Sequence, residues 1–126
     1  MRGFTVLAAC MGALAVALGA FGAHALRGRL DDAALQVWRT AVDYQFWHAL
    51  ALLAIAQSSN AAPRWLHASA TAFVVGVVLF CGSLYALALG APHLVGAITP
   101  FGGIALIAGW LLLAVAFLRS AKRKTH

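Results

Sequence analysis

From Gly3 to Leu26 the chain carries no Lys, Arg, Asp or Glu. A run of about 24 residues exceeds the roughly 20 apolar residues that an α-helix needs to cross the hydrocarbon core of a bilayer. Backbone polar groups in lipid must be satisfied within a helix or a closed barrel, so a first span of this kind constrains everything that follows it. The rest of the chain repeats the pattern. Ala33 to Gln57 contains neither Pro nor Gly, Leu66 to Leu89 is almost wholly apolar, and Phe101 to Leu118 is again uncharged. Of 126 residues, 63% are hydrophobic and 10% charged, against about 45–50% and about 25% in ordinary soluble domains. Four spans of about 20 residues leave roughly 40 for ends and loops. The expectation is an all-α fold, a membrane-embedded up-and-down bundle of four transmembrane helices in one domain. The helices fall at about 3–26, 32–57, 66–89 and 101–118, with a basic tail at 119–126. No room remains for a soluble catalytic domain, a disulfide-rich scaffold or a conventional nucleic-acid binder.

The charge is distributed as a topology signal. Arg119, Lys122, Arg123 and Lys124 crowd one end of the chain, directly after a hydrophobic helix, where basic residues set orientation and touch anionic headgroups. With both termini on one side, that side holds these four together with Arg2 and Arg64, while the other holds Arg27, Arg29 and Arg39, partly offset by Asp31, Asp32 and Asp43. The positive-inside rule then places both termini in the cytoplasm. Cys10 and Cys81 lie inside apolar runs without a CxxC spacing, and read as small buried hydrophobes.

The first run also resembles a secretory signal, with Arg2 before it and Ala23-His24-Ala25 as an A-x-A site, but its apolar core is longer than the 7–15 residues of an h-region. It is therefore expected to remain as a helix. Ala15, Gly19 and Ala23 recur every four residues, as do Ala8 and Gly12, and Gly102, Gly103, Ala105 and Gly109 supply small surfaces near the other end. Such stripes let helix backbones approach closely in lipid. Asp31 and Asp32 carry carboxylates suited to the free amides of a helix start. Gln57-Ser58-Ser59-Asn60-Ala61-Ala62-Pro63 is a loop by composition, and Gly90-Ala91-Pro92 stops a helix. Arg64 and Trp65 suit a membrane interface.

The few polar groups within the spans gather toward one end. His24 closes the first helix, and Tyr44, Gln45 and His48 follow on the second. Ser83 and Tyr85 come late on the third, and Thr99 opens the fourth. The opposite half is expected to be nearly pure Ala, Leu, Val and Ile. Three explanations compete. The cluster can be an interhelical hydrogen-bond network, with Arg39 and Asp43 at i,i+4 neutralising each other at the interface. His24 and His48 can ligate a haem iron between neighbouring helices. The cluster can also be a pocket for a lipid headgroup, quinone or small solute, or part of a proton path, with Asp43 and His48 as its proton-active members. Zinc or copper lacks a compact third and fourth ligand. No nucleophile elbow, P-loop or HExxH motif is present.

Four blocks, taken in order, carry a resemblance: Gly19-Ala20-Phe21-Gly22-Ala23-His24-Ala25-Leu26; Tyr44-Gln45-Phe46-Trp47-His48-Ala49-Leu50-Ala51-Leu52-Leu53; Leu79-Phe80-Cys81-Gly82-Ser83-Leu84-Tyr85-Ala86-Leu87; and Ile98-Thr99-Pro100-Phe101-Gly102-Gly103 with Gly109-Trp110. Together they resemble the DUF423 family, which includes small eukaryotic proteins called transmembrane protein 256 and bacterial inner-membrane relatives. Cys81 stands where relatives often carry Ser. The resemblance implies a four-helix integral membrane protein of about this length, and no reaction. The resulting expectation is a non-enzymatic protein without a cofactor, structural or accessory in role. Its partners would be the lipid bilayer and a second copy or another membrane protein, not nucleic acid.

Overall fold

The computed structural model describes residues 1–123, with side chains through residue 120. Four long helices follow one another: α1 (Arg2–His24), α2 (Asp32–Ala56), α3 (Pro63–Ala88) and α4 (Thr99–Arg123), with a short 3-10 helix (His93–Ala97) between the last two. The helix ends follow their local chemistry. Asp31 caps α2 by accepting from the Ala34 amide at 2.8 Å, which satisfies a free donor of the first turn. Helix α3 begins at Pro63, earlier than expected, because Pro has no amide hydrogen to lose and its fixed φ suits the first helical turn. Its far end is a Schellman turn. Gly90 takes φ +97, the Gly90 amide donates to the Leu87 carbonyl at 3.1 Å and the Ala91 amide to that of Ala86 at 2.9 Å, a closure that needs a residue free to adopt left-handed backbone. Helix α4 also starts earlier than expected, at Thr99, and runs on through Arg119 to Arg123, so much of the anticipated basic tail is helical. Lys124 lies outside the described residues.

Short connections make successive helices antiparallel neighbours. The extensive packing is α1 on α2, α2 on α3, and α3 on α4, and among the described residues α1 and α4 have no comparable packing. The bundle is therefore an open series with α2 and α3 in the middle. Phe73, Leu52, Ile55, Cys81 and Ser69 are its largest fully buried side chains. Leu26, Leu35, Trp38 and Ala88 form a second cluster at the end where α1 turns into α2.

The outside is apolar. Val16, Val78, Phe101, Ile104, Ile107, Leu111 and Leu118 are each more than 60% exposed, a surface that water would not tolerate on a monomer of this size and that lipid covers. Three helical segments, Arg2–His24, Pro63–Ala88 and His93–Ser120, are long and apolar enough to cross a membrane. Helix α2 is not among them, because Arg39, Asp43, Gln45 and His48 interrupt its apolar character.

Candidate functional site

The polar side chains form a ladder of hydrogen bonds, each rung tying two helices. Helix α2 buries Leu35, Trp38, Ala41, Gln45, His48, Leu52 and Ile55, a 3-4 spacing that winds one stripe into the bundle. At Gln45 the stripe meets α1 and α3 together. The amide nitrogen donates to the Met11 carbonyl at 2.9 Å, and Oε1 accepts from the Tyr85 hydroxyl at 2.8 Å. Less than one turn further on, His48 Nδ1 lies 2.6 Å from the Tyr44 carbonyl, and Trp110 Nε1 of α4 lies 3.2 Å from His48 Nε2. A carbonyl only accepts and an indole N–H only donates. The imidazole is therefore held as the neutral tautomer with its proton on Nδ1.

Other rungs lie on either side. Trp38 Nε1 donates to the Leu18 carbonyl of α1 at 2.9 Å, and its ring stands edge-on to Tyr85 with centroids 4.7 Å apart. Ser83 Oγ donates to its own helix at the Phe80 carbonyl, 2.9 Å away. That assigns the proton in the 2.6 Å Ser83–Thr99 contact to Thr99. Ser69 Oγ donates to the Gly109 carbonyl at 2.7 Å, joining α3 to α4. At the far end Gln57 donates to Thr5 and Ser120 to the Asn60 carbonyl. No buried side-chain nitrogen or oxygen among the described residues lacks a partner.

This arrangement corrects several expectations. The polar contacts are not confined to one half. His48–Trp110, Ser69–Gly109, Gln57–Thr5 and Ser120–Asn60 carry them through the full length of the bundle. The reason is geometric: each helix pair needs its own register pin, and a buried indole N–H needs an acceptor wherever it falls. Trp38, Ser69 and Trp110 were missed by the sequence reading, the tryptophans because composition counts them as hydrophobic. His24 is exposed at the end of α1 and stands apart from the ladder. Gln45 is level with Met11, so His48 and His24 are separated by roughly 24 Å along the bundle axis. Two imidazoles that far apart cannot share one iron, whose ligands each sit within about 2 Å of a metal. Tyr44 contributes its carbonyl to His48 and packs its ring on Phe80 at 4.6 Å and Trp47 at 5.1 Å. Arg39 and Asp43 sit one turn apart on α2. Both are exposed and flank a cavity, in water-accessible positions where an isolated ion pair is worth little.

The small residues divide in the same way. A Cβ at Gly102 would lie 2.3 Å from the Phe80 backbone nitrogen, one at Gly109 2.7 Å from the Phe73 ring and one at Gly19 3.3 Å from Val42, while Gly103 has room, its nearest neighbour being 3.8 Å away. Ala15 is buried against α2 but Ala23 is exposed. The closest approaches missed by the sequence reading are at Gly22, where a Cβ would lie 2.5 Å from the Trp38 indole nitrogen, and Gly76, where one would lie 2.5 Å from the Leu106 side chain. At the end where α3 begins and α4 finishes, Arg119 and Arg64 lie over Trp65, 5.5 and 5.9 Å from the ring, cation–π geometry in both cases. The side chains of Lys122 and Arg123 lie outside the described ones.

Two cavities border the ladder. One of about 390 Å³ opens between α2 and α4, lined by Tyr44, Trp47, His48, Phe80, Ile107 and Trp110 among others. The other, about 180 Å³, lies between α1 and α2 over Gly19, Gly22 and Ala23.

The family model for DUF423, described as a protein of unknown function, matches residues 18–103. The chain belongs to the DUF423 family. It is similar to a UPF0382 membrane protein of Staphylococcus epidermidis, 42% identical over 96% of this chain and 99% of that one. It is also similar to the UPF0382 membrane protein YwdK of Bacillus subtilis, 42% identical over 94% and 98% of the two chains. The UPF0382 inner membrane protein YgdD of Escherichia coli is 40% identical over 98% and 94%. No solved structure matches the chain. The matched span includes the Gly22–Trp38 contact, Gln45, His48, Tyr85, Ser83, Thr99 and Gly102, whereas Met11 and Trp110, which complete rungs at Gln45 and His48, lie outside it. With relatives that are membrane proteins and three helices able to span, the chain is a helical membrane protein.

Proposed function

We propose that this protein is a four-span, non-enzymatic membrane component that acts structurally, as an oligomer or as an accessory to a larger membrane complex. The observation that carries this reading is the closed account of its buried polar groups. Among the described residues every one is bonded within the chain, so these polar residues hold helices in register instead of converging as free donors or bases. Helix α2 serves as the fourth span because Gln45 and His48 face protein, where polar groups in a membrane are tolerated, and Phe46, Trp47, Leu50 and Leu53 face outward. Arg64 and Arg119 around Trp65 mark the cytoplasmic face, as they do in a positive-inside topology. The bilayer is the first partner, and the exposed apolar faces of α1 and α4, which do not close on each other, suit a second copy or another membrane protein.

A second reading is favoured by the cavity between α2 and α4. Its aromatic walls and about 390 Å³ suit a lipid tail or a flat apolar ring such as a quinone. Native mass spectrometry of the untagged protein released from its own membrane separates the two readings. A recurrent protein partner or a homo-oligomer without a small-molecule adduct is expected; a stoichiometric apolar ligand lost on Trp110→Ala would overturn the structural role. Reporters fused after Gln57 and after the C-terminus are expected on the cytoplasmic side. A reporter after Gln57 found on the opposite side would show that α2 does not span in this sense.

A further inference from the structure

We propose that the notch between α1 and α2 is a binding site for a zwitterionic phospholipid headgroup bearing a primary ammonium. Arg39 would receive the phosphate and Asp43 the ammonium. The notch is a cavity of about 180 Å³ lined by Gly19, Gly22 and Ala23 of α1 and by Leu35, Trp38 and Val42 of α2. Arg39 and Asp43 stand at its rim. The volume accommodates about six water-sized groups, the scale of a compact headgroup.

Its depth fits. Helix α1 has 23 residues, hence about 35 Å of length, against a hydrocarbon core of about 30 Å. Gly19 and Gly22 lie within the last two turns of that helix, so the notch opens toward the end of the span where α1 turns into α2. The charge pattern fits as well. Residues four apart on a helix hold their Cβ atoms about 5–6 Å apart, so the rim offers one cation and one anion, side by side, to a ligand of the inverse polarity. Guanidinium is the side chain best matched to phosphate oxygens, and a carboxylate accepts from the three donors of an ammonium group. An anionic lipid would satisfy Arg39 and be repelled by Asp43. A trimethylated ammonium brings no N–H donor.

The lipid, and not a free solute, is indicated by what lies below the rim. Arg39, Asp43, Phe46, Leu50 and Leu53 occupy one exposed stripe of α2 at 3-4 spacing. The stripe is charged nearer the start of α2 and apolar further along it, with Phe46, Leu50 and Leu53 at 38%, 52% and 38% exposure. A phospholipid laid along it places its headgroup in the notch and its chain on Phe46, Leu50 and Leu53. This assignment depends on α1 crossing the membrane and not on the role proposed above.

The test is lipid retention by the full-length protein in native mass spectrometry. Phosphatidylethanolamine, phosphatidylcholine and phosphatidylglycerol with matched acyl chains are offered in equal amounts. The wild type is expected to retain phosphatidylethanolamine about tenfold over the other two, the scale of one charge-assisted hydrogen bond. Arg39→Gln is expected to weaken retention of all three, and Asp43→Asn to abolish the preference for ethanolamine over choline. Both positions are exposed, so far-UV circular dichroism should show the fold intact. Equal retention of the three lipids by the wild type, or an unchanged ethanolamine preference in Asp43→Asn, overturns the proposal. Soluble phosphoethanolamine should fail to displace the lipid; displacement at equal concentration would assign the notch to a free solute and refute the lipid.

Discussion

The Gly102 position lets the packing argument be tested against its own neighbour. Gly102 and Gly103 are adjacent small residues in the same motif, yet only one bears on α3. A Cβ at Gly102 would lie 2.3 Å from the Phe80 nitrogen and 2.7 Å from its Cα, both backbone atoms. Carbon contacts are comfortable at about 3.5–4.0 Å, so Gly102→Ala must move α3 and α4 apart by about 1 Å at the crossing. A radial gap of that size forfeits a quarter to a half of the dispersion energy of each contact along the seam. In lipid no hydrophobic term compensates, because lipid tails are as apolar as the helices. The expected cost is that of an overpacked core, about 1–3 kcal/mol, or roughly a 5- to 150-fold shift in the unfolding equilibrium. Gly103→Ala, whose new methyl would meet the Phe80 ring at 3.8 Å, is expected to change stability by less than about 0.5 kcal/mol. Reversible unfolding in mixed micelles, followed by tryptophan fluorescence, measures both. Equal stability of the two variants would refute the close approach of α3 and α4 at Phe80.

Two further outcomes follow from the ladder. In a double-mutant cycle of Gln45→Leu and Tyr85→Phe, the coupling energy read from the same unfolding assay should be about 0.6 kcal/mol and no more than about 1.7; zero coupling would mean that the 2.8 Å bond between them does not contribute. In protein with 15N-labelled histidine, His48 is expected to show the Nδ1–H tautomer, because Tyr44 offers a carbonyl and Trp110 an N–H; Trp110→Phe should shift the Nε2 resonance, and an Nε2–H signal in the wild type would contradict the Trp110 contact.

The sequence displays the helices well and their partners poorly. Asp31 as a cap and Gly90 as a stop are local signals, readable because capping chemistry acts within one turn. Gln45, His48, Ser83, Tyr85 and Thr99 are likewise visible as polar residues inside apolar runs, and all take part in the ladder. Depth and face are less legible. His24 and His48 look alike in sequence, but the register in which Gln45 meets Met11 puts them at different levels. Trp38 and Trp110 hide their donors behind apolar rings, and Ser69 is one hydroxyl in a run of small residues. Gly22 and Gly76 are distinguishable from Gly12 only by what crosses over them, a long-range fact: Trp38 and Leu106 respectively, against nothing within 4 Å.

The placement of α2 follows from the same physics. It is the helix least suited to lipid by composition, yet it packs against both α1 and α3 and hydrogen-bonds to α4. Any other position would fail. At the edge of the series, α2 would have one neighbour, and either Gln45 or His48 would face hydrocarbon without a partner, at a cost of several kcal/mol for each unsatisfied group. In the interior, Met11 and Tyr85 complete Gln45 while Trp110 completes His48. Among the described residues, helices α1 and α4 carry no buried polar side chain, so they tolerate the edges. The polarity that sets α2 apart from the three more apolar helices is thus what determines its place among them, and Arg39 and Asp43 lie exposed at the surface.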